Sequence, residues 1–171
     1  DMMASVSRLV QLADAKQEPY DHIIVECSGI AEPRNIRDLF QEAEDYGLPL
    51  LAKTKLDTLV TVVDATIFQK YFGSNSAIGA DPALAFRETD DSPDKDMIEG
   101  RKITDLLLEQ VECADIVLIN KVDLLSDRAT QLPLLEKVIA RLNPTAKVQT
   151  CERGGVLPKE VLGTAAGLGA A

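Results

Sequence analysis

The stretch DIVLINKVDLL, residues 115–125, runs four apolar residues, Ile116 to Ile119, straight into Asn120, Lys121 and Asp123. A buried charge is costly unless something binds it, so the end of this strand asks for a ligand. The spacing N-K-x-D can read a guanine. That base presents two parallel donors, N1–H and the exocyclic amino group, and one carboxylate, here Asp123, accepts both. Adenine offers a lone pair at N1 and no neighbouring amino group. Sites built on such bonds reject the wrong partner by a factor on the order of 10⁴–10⁵. Asn120 can donate to the other edge of the base and tie neighbouring loops together. The Lys121 stem can lie along the base face while its ammonium stays wet.

The second stretch is HIIVECSGIAEP, residues 22–33. A β-branched run delivers Glu26 to a strand end, and Gly29 lies three residues on. An acid placed there suits Mg²⁺, held through water because that ion dehydrates reluctantly. Gly29 would offer its backbone N–H to a γ-phosphate where a side chain would obstruct approach. Hydrolysis would release that contact and move the segment behind it. Cys27 and His22 carry a nucleophile or metal-ligand reading. The plainer expectation is inert packing for the cysteine and an ordinary strand position for the histidine.

The elements that must position these groups emerge from the apolar periodicity. Met3, Val6, Leu9, Val10 and Ala13 give a helix over 2–15. HIIVE, 22–26, reads as a buried strand. A helix begins at Pro33, carries Ile36, Leu39, Phe40 and Ala43 on one stripe, and stops at Gly47. Leu59 to Val63 form a second strand ending in Asp64, which would cap a helix over 65–72. Residues 73–100, with the acidic ETDDSPDKD, read as a surface excursion whose charges are solvated. Ile103 to Val111 form a helix, 115–120 a third strand, 132–142 a helix started late by Pro133, and AKVQT, 146–150, a fourth strand. The tail GTAAGLGAA should fray. Alternating strands and helices mean an α/β fold, a parallel sheet with helices on both faces. Ligands bind beyond the carboxyl ends of such strands, so Glu26, Asp64 and Asn120 should line one edge.

Composition narrows the partners. The 171 residues include 18 basic and 28 acidic side chains, a formal net charge of −10. That argues against nucleic acid and anionic membrane as partners, both of which need a basic face. The three cysteines, Cys27, Cys113 and Cys151, are scattered and form no CxxC, which fits a reducing, intracellular setting; the expectation is a cytoplasmic protein, with organellar targeting left open.

Four phrases in order, HIIVECSGIAEP, LVTVVDA, QVECADIVLINKVDLL and LNPTAKV, resemble the CobW-type GTPases. That group includes zinc-regulated metallochaperones and is close to the nickel-insertion GTPases. The resemblance spans about residues 1–157, apart from 73–100, and leaves 158–171 as a tail. It implies a P-loop NTPase-like fold, a guanine nucleotide and Mg²⁺ as cofactors, zinc carried by the parent protein, and a client metalloprotein as partner; a homodimer stays open. It assigns Glu26 and Gly29 to an E-x-x-G switch, with Glu26 toward the metal. It assigns Asn120, Lys121 and Asp123 to the base, and places Cys151, within Thr150 to Arg153, where backbone groups clamp the guanine. Asp64 matches a family position with only a capping or supporting role.

The chain departs from the family pattern too. No G-x-x-x-x-G-K-[ST] is present, the nearest stretch being GRKIT at 100–104, and the family's C-x-C-C metal motif and C-terminal domain are absent. The expectation is a fragment starting just past the cysteine motif, feeble toward GTP and inactive alone. The rival expectation is a pseudo-GTPase that keeps the fold as a nonenzymatic interaction module.

Overall fold

The computed structural model describes residues 2–82, 84 and 95–164. Along the chain, α1 (Met2–Lys16) and α2 (Pro33–Asp45) precede β1 (Val60–Asp64). Then come α3 (Phe68–Phe72), α4 (Lys95–Glu99), α5 (Ile103–Glu112), β2 (Ile116–Asn120), α6 (Arg128–Leu142), β3 (Lys147–Thr150) and α7 (Pro158–Val161). Among the described residues three parallel strands make a sheet in the order β1-β2-β3.

Burial tracks the pleat. Successive strand side chains point to opposite faces. On one face Val63, Val117 and Ile119 meet Phe68 of α3, Val111 of α5 and Leu135 and Ile139 of α6. On the other, Ile116 and Leu118 meet Cys151, with Val156 and Val161 of α7 packed against them. Fully burying a side chain such as Leu135 or Ile139 contributes roughly 1.5–3 kcal/mol. The middle strand β2 is therefore covered on both faces, whereas β1 is covered on one: Val63 is buried, yet Val62 is 62% exposed.

A buried polar side chain, Asn143, joins three segments at the other end of the sheet. Its Nδ2 donates to the carbonyls of Val111, Glu112 and Ala114 at 2.9, 3.0 and 2.8 Å. Its Oδ1 accepts from the N–H and hydroxyl of Thr145 and from the N–H of Ala146. The loops leaving α5 and α6 are thereby locked to each other just before β2 and β3 begin.

Several elements differ from the sequence expectation. Residues 22–26 form no strand: Ile24 is 75% exposed and Val25 48%. β-propensity describes fit to a pleated, half-buried surface rather than an intrinsic backbone preference, and β1 pairs only with β2 among the described residues. Cys27, expected as buried packing, is exposed, and so is His22. The helix expected from residue 65 starts at Phe68, because Asp64 Oδ1 takes the N–H and hydroxyl of Thr66 in a turn instead of capping the helix. α6 starts at Arg128 and runs through Pro133. Asp127 Oδ1 accepts the Thr130 N–H, and the Asp127 N–H donates to Gln131 Oε1. These bonds start the helix ahead of a proline that removes one internal bond.

In the segment expected as a surface excursion, Ile78 is fully buried against Ile103 and Leu106. Ala77 also bridges to Lys102. Glu88–Asp94 of the acidic run lie outside the described residues, as does the tail from 165. The first part of the expected tail, Pro158–Val161, forms α7, and the Thr58 and Thr164 hydroxyls meet at 2.6 Å.

Candidate functional site

The register pairs Asp64 with Asn120 and Ile119 with Thr150. The last residues of all three strands therefore share one rim, where a parallel sheet presents its ligand. Three apolar pairs precede that rim on β1 and β2, so its polar groups sit on a rigid support.

Lys121 leaves β2 in the left-handed region, φ 62° and ψ 30°. Its ammonium donates to Asp64 Oδ2 at 2.6 Å. The other oxygen of Asp64 is held by the Thr66 N–H at 2.9 Å and its hydroxyl at 2.6 Å. Burial pushes the Asp64 carboxyl up, but the bonds from Lys121 and Thr66 outweigh it, and the net effect holds the group below its ordinary value. The carboxylate is thus fixed from two sides, and it fixes the lysine in turn.

Asn120 is fixed toward β3. Its Oδ1 accepts the Gly154 N–H at 3.0 Å and the Cys151 thiol at 3.5 Å. Arg153 and Gly154 have positive φ, 53° and 69°, so the loop curls back over the strand end. Cys151 is buried beneath it, its own N–H bonded to the Ile119 carbonyl. Burial raises the thiol pKa, with a smaller opposing pull from the Gly154 backbone. Arg128 pairs with Glu152 at 3.1 Å and ties the same loop to the start of α6.

Asp123 follows the two anchored residues in sequence, in a single turn of 3-10 helix, Val122–Leu124. Val122 is buried and anchors the turn, while Asp123 is exposed. Among the described residues its carboxylate has no hydrogen-bond or salt-bridge partner. Asn120, Lys121, Asp123 and Cys151 therefore lie at one rim.

Glu26 and Gly29 are not brought there. Glu26 is exposed, and no contact links it to the rim among the described residues. The Gly29 and Ala31 carbonyls accept from Gln110 Nε2 at 2.9 and 3.1 Å. Arg37, one turn into α2, bonds the Cys113 carbonyl and Asp115. That ties the segment to the late turns of α5 and the start of β2, away from Asn120. The strand expected to carry Glu26 to the rim does not form, and with it goes the expected juxtaposition.

The sequence reading missed the partner of Asp64 and the Gly154 N–H. The first had a signal: a carboxylate ending one strand and a lysine just past the end of its neighbour will meet if the strands pair in register.

The family described as the CobW/HypB/UreG nucleotide-binding domain matches residues 1–150. The chain belongs to this family. Zinc-regulated GTPase metalloprotein activator 1 of Dictyostelium discoideum is 33% identical over 169 residues, which is 96% of this chain and 31% of that protein. The zinc chaperone CobW of a Sinorhizobium species is 26% identical over 162 residues, 95% of this chain and 42% of that one. This member thus spans less than half the length of the relatives it matches. The crystal structure of the Zn(II)-bound YjiA GTPase from E. coli aligns with a TM-score of 0.63 at 21% identity, over 98% of this chain and 41% of that chain. That likeness shows the α/β fold.

Proposed function

We propose that this CobW-family chain supplies the base-reading part of a GTP-binding domain, in a protein that hydrolyses GTP and couples hydrolysis to zinc delivery into a client protein. One observation carries the reading. Asp123 is an exposed carboxylate on a rigid turn, without a partner among the described residues. Both of its motif neighbours are already held, Lys121 by Asp64 and Asn120 by the 151–154 loop. A site with its donors and acceptors fixed before binding loses little entropy on binding. The names of the two relatives, a zinc-regulated activator and a zinc chaperone, support zinc as the cargo.

The described residues do not fit a metal site. Among the described residues no three His, Cys, Asp or Glu side chains gather to hold an ion, and Glu26, the expected Mg²⁺ holder, stands apart. Zinc enters this reading as cargo, on the names of the two relatives.

The placement of Glu26 favours a second reading, an interaction module that binds guanine without turnover. GTPase assay of the full-length protein separates the two: steady phosphate release supports the first, and guanine binding with none supports the second.

Asp123→Asn tests the base assignment itself. Xanthine carries a 2-oxo acceptor where guanine has an amino donor. The variant in the full-length protein should bind GTP about 100-fold more weakly and gain xanthosine triphosphate. Unchanged guanine preference by calorimetry would remove the basis of the proposal.

A further inference from the structure

We infer that Asp64 is a positioning residue for guanine, acting through Lys121; the inference rests on the base-reading function proposed above. The geometry is specific. Asp64 ends β1 and pairs in register with Asn120, one residue before Lys121. Two bonds from Thr66 immobilise one carboxylate oxygen, and the other takes the Lys121 ammonium at 2.6 Å. The lysine side chain is half exposed, so without this partner its long stem would sample many rotamers. Holding a rotamer-rich side chain costs conformational entropy when binding must do it. Here the fold has done it beforehand, with the ammonium drawn toward β1 and the stem left to lie along a base. The backbone helps, because the left-handed Lys121 conformation turns the chain sharply between Asn120 and Asp123. The rim then has two independently fixed parts. Asn120 and the 151–154 loop lie toward β3, and Lys121 is drawn toward β1.

The decisive experiment is a double-mutant cycle in the full-length protein, read by fluorescent GDP titration. Asp64→Asn should weaken GDP about five-fold, the upper range for a partly exposed ion pair. Lys121→Met keeps a stem but removes the charge that Asp64 holds. If Asp64 acts through Lys121, Asp64→Asn should add nothing in the Lys121→Met background. An Asp64 role confined to supporting the β1 turn would give the same loss in both backgrounds, and that result overturns the inference, as does a wild-type affinity for Asp64→Asn. Asp64→Ser, whose hydroxyl still accepts from Thr66 but cannot reach Lys121, should reproduce the Asp64→Asn loss. Wild-type protein that binds GDP and ADP equally would overturn the base-reading function and this inference together. Guanine selectivity that depends on Asp123 but not on Asp64 would overturn the inference alone.

Discussion

The side-chain carbonyl of Asn120 accepts the backbone N–H of Gly154 at 3.0 Å, so the end of β2 and the loop after β3 move as one piece. Without that acceptor the loop loses its tether at the point where two successive residues have positive φ. Asn120→Ala should abolish hydrogen-exchange protection of the Gly154 amide. Asn120→Asp, which keeps an acceptor oxygen, should retain it. Both should weaken guanine nucleotides, because both lose the amide donor. Equal Gly154 protection in the two variants would show that the loop is held by other contacts.

At the opposite end of the sheet Asn143 is a stability residue. It is 5% exposed and bonds three carbonyls through Nδ2. Removing one partner of a buried polar group leaves the other with its full desolvation cost, about 1–3 kcal/mol per group. Asn143→Ala should therefore destabilise by about 3 kcal/mol or more, measured by urea unfolding. Asn143→Asp should be comparably damaging, since it replaces the donor with a further acceptor facing three carbonyls. A loss below about 1 kcal/mol would mean water replaces the amide.

How far the sequence reaches differs from element to element. β2 and its polar end were legible because an unbroken apolar run can only be buried, and the amide and charges directly after it must lie on the rim. The stop at Gly47 was legible for a local reason: a residue at φ 61° closes the helix, the Gly47 and Leu48 N–H groups bonding back to Glu44 and Ala43. The strand over 22–26 was misread because a strand is completed by its neighbours, and local β-branching says nothing of whether they are there. The start of α6 was misread because Pro133 is a louder signal than Asp127 and Gln131, whose two bonds decide the matter. Ile78 was missed because a lone isoleucine in a polar stretch has no period. Asp64 was seen as a cap, since its pairing with Lys121 emerges only once strand register is known.

The cysteines offer a chemical map of the fold. Cys27 is exposed, Cys113 partly so, and Cys151 is buried. Thiolate is the reactive form, so both access and pKa govern the rate. Burial disfavours the Cys151 thiolate, raising its pKa. Iodoacetamide at neutral pH should label Cys27 first and Cys151 last, by peptide mass spectrometry. The raised value means the neutral Cys151 thiol stabilises the fold fully below its unfolded pKa, and that contribution fades as pH rises through the folded value. Guanine nucleotide should protect Cys151 further, because it lies under the 151–154 loop. Early labelling of Cys151 would show that the loop opens readily.

Asp64 gives the opposite acid–base signature. Its folded pKa lies below the ordinary 3.8 because the Lys121 and Thr66 bonds outweigh burial. A depressed carboxylate contributes stability that is fully present above its unfolded pKa and is lost as pH falls through the folded value. Wild type and Asp64→Asn should therefore differ in unfolding midpoint at neutral pH and converge progressively below about pH 4. High salt should narrow the same gap at neutral pH, because the Lys121 end is half exposed and the screening length falls to about 3 Å at 1 M. Thr66→Val keeps the Lys121 pair but removes one of the bonds to Asp64, so its acid transition should lie between the two. A gap between wild type and Asp64→Asn that stays constant down to about pH 2, below the ordinary carboxylate range, would mean that the carboxylate charge contributes nothing, and that Asp64 works only as an acceptor for the turn.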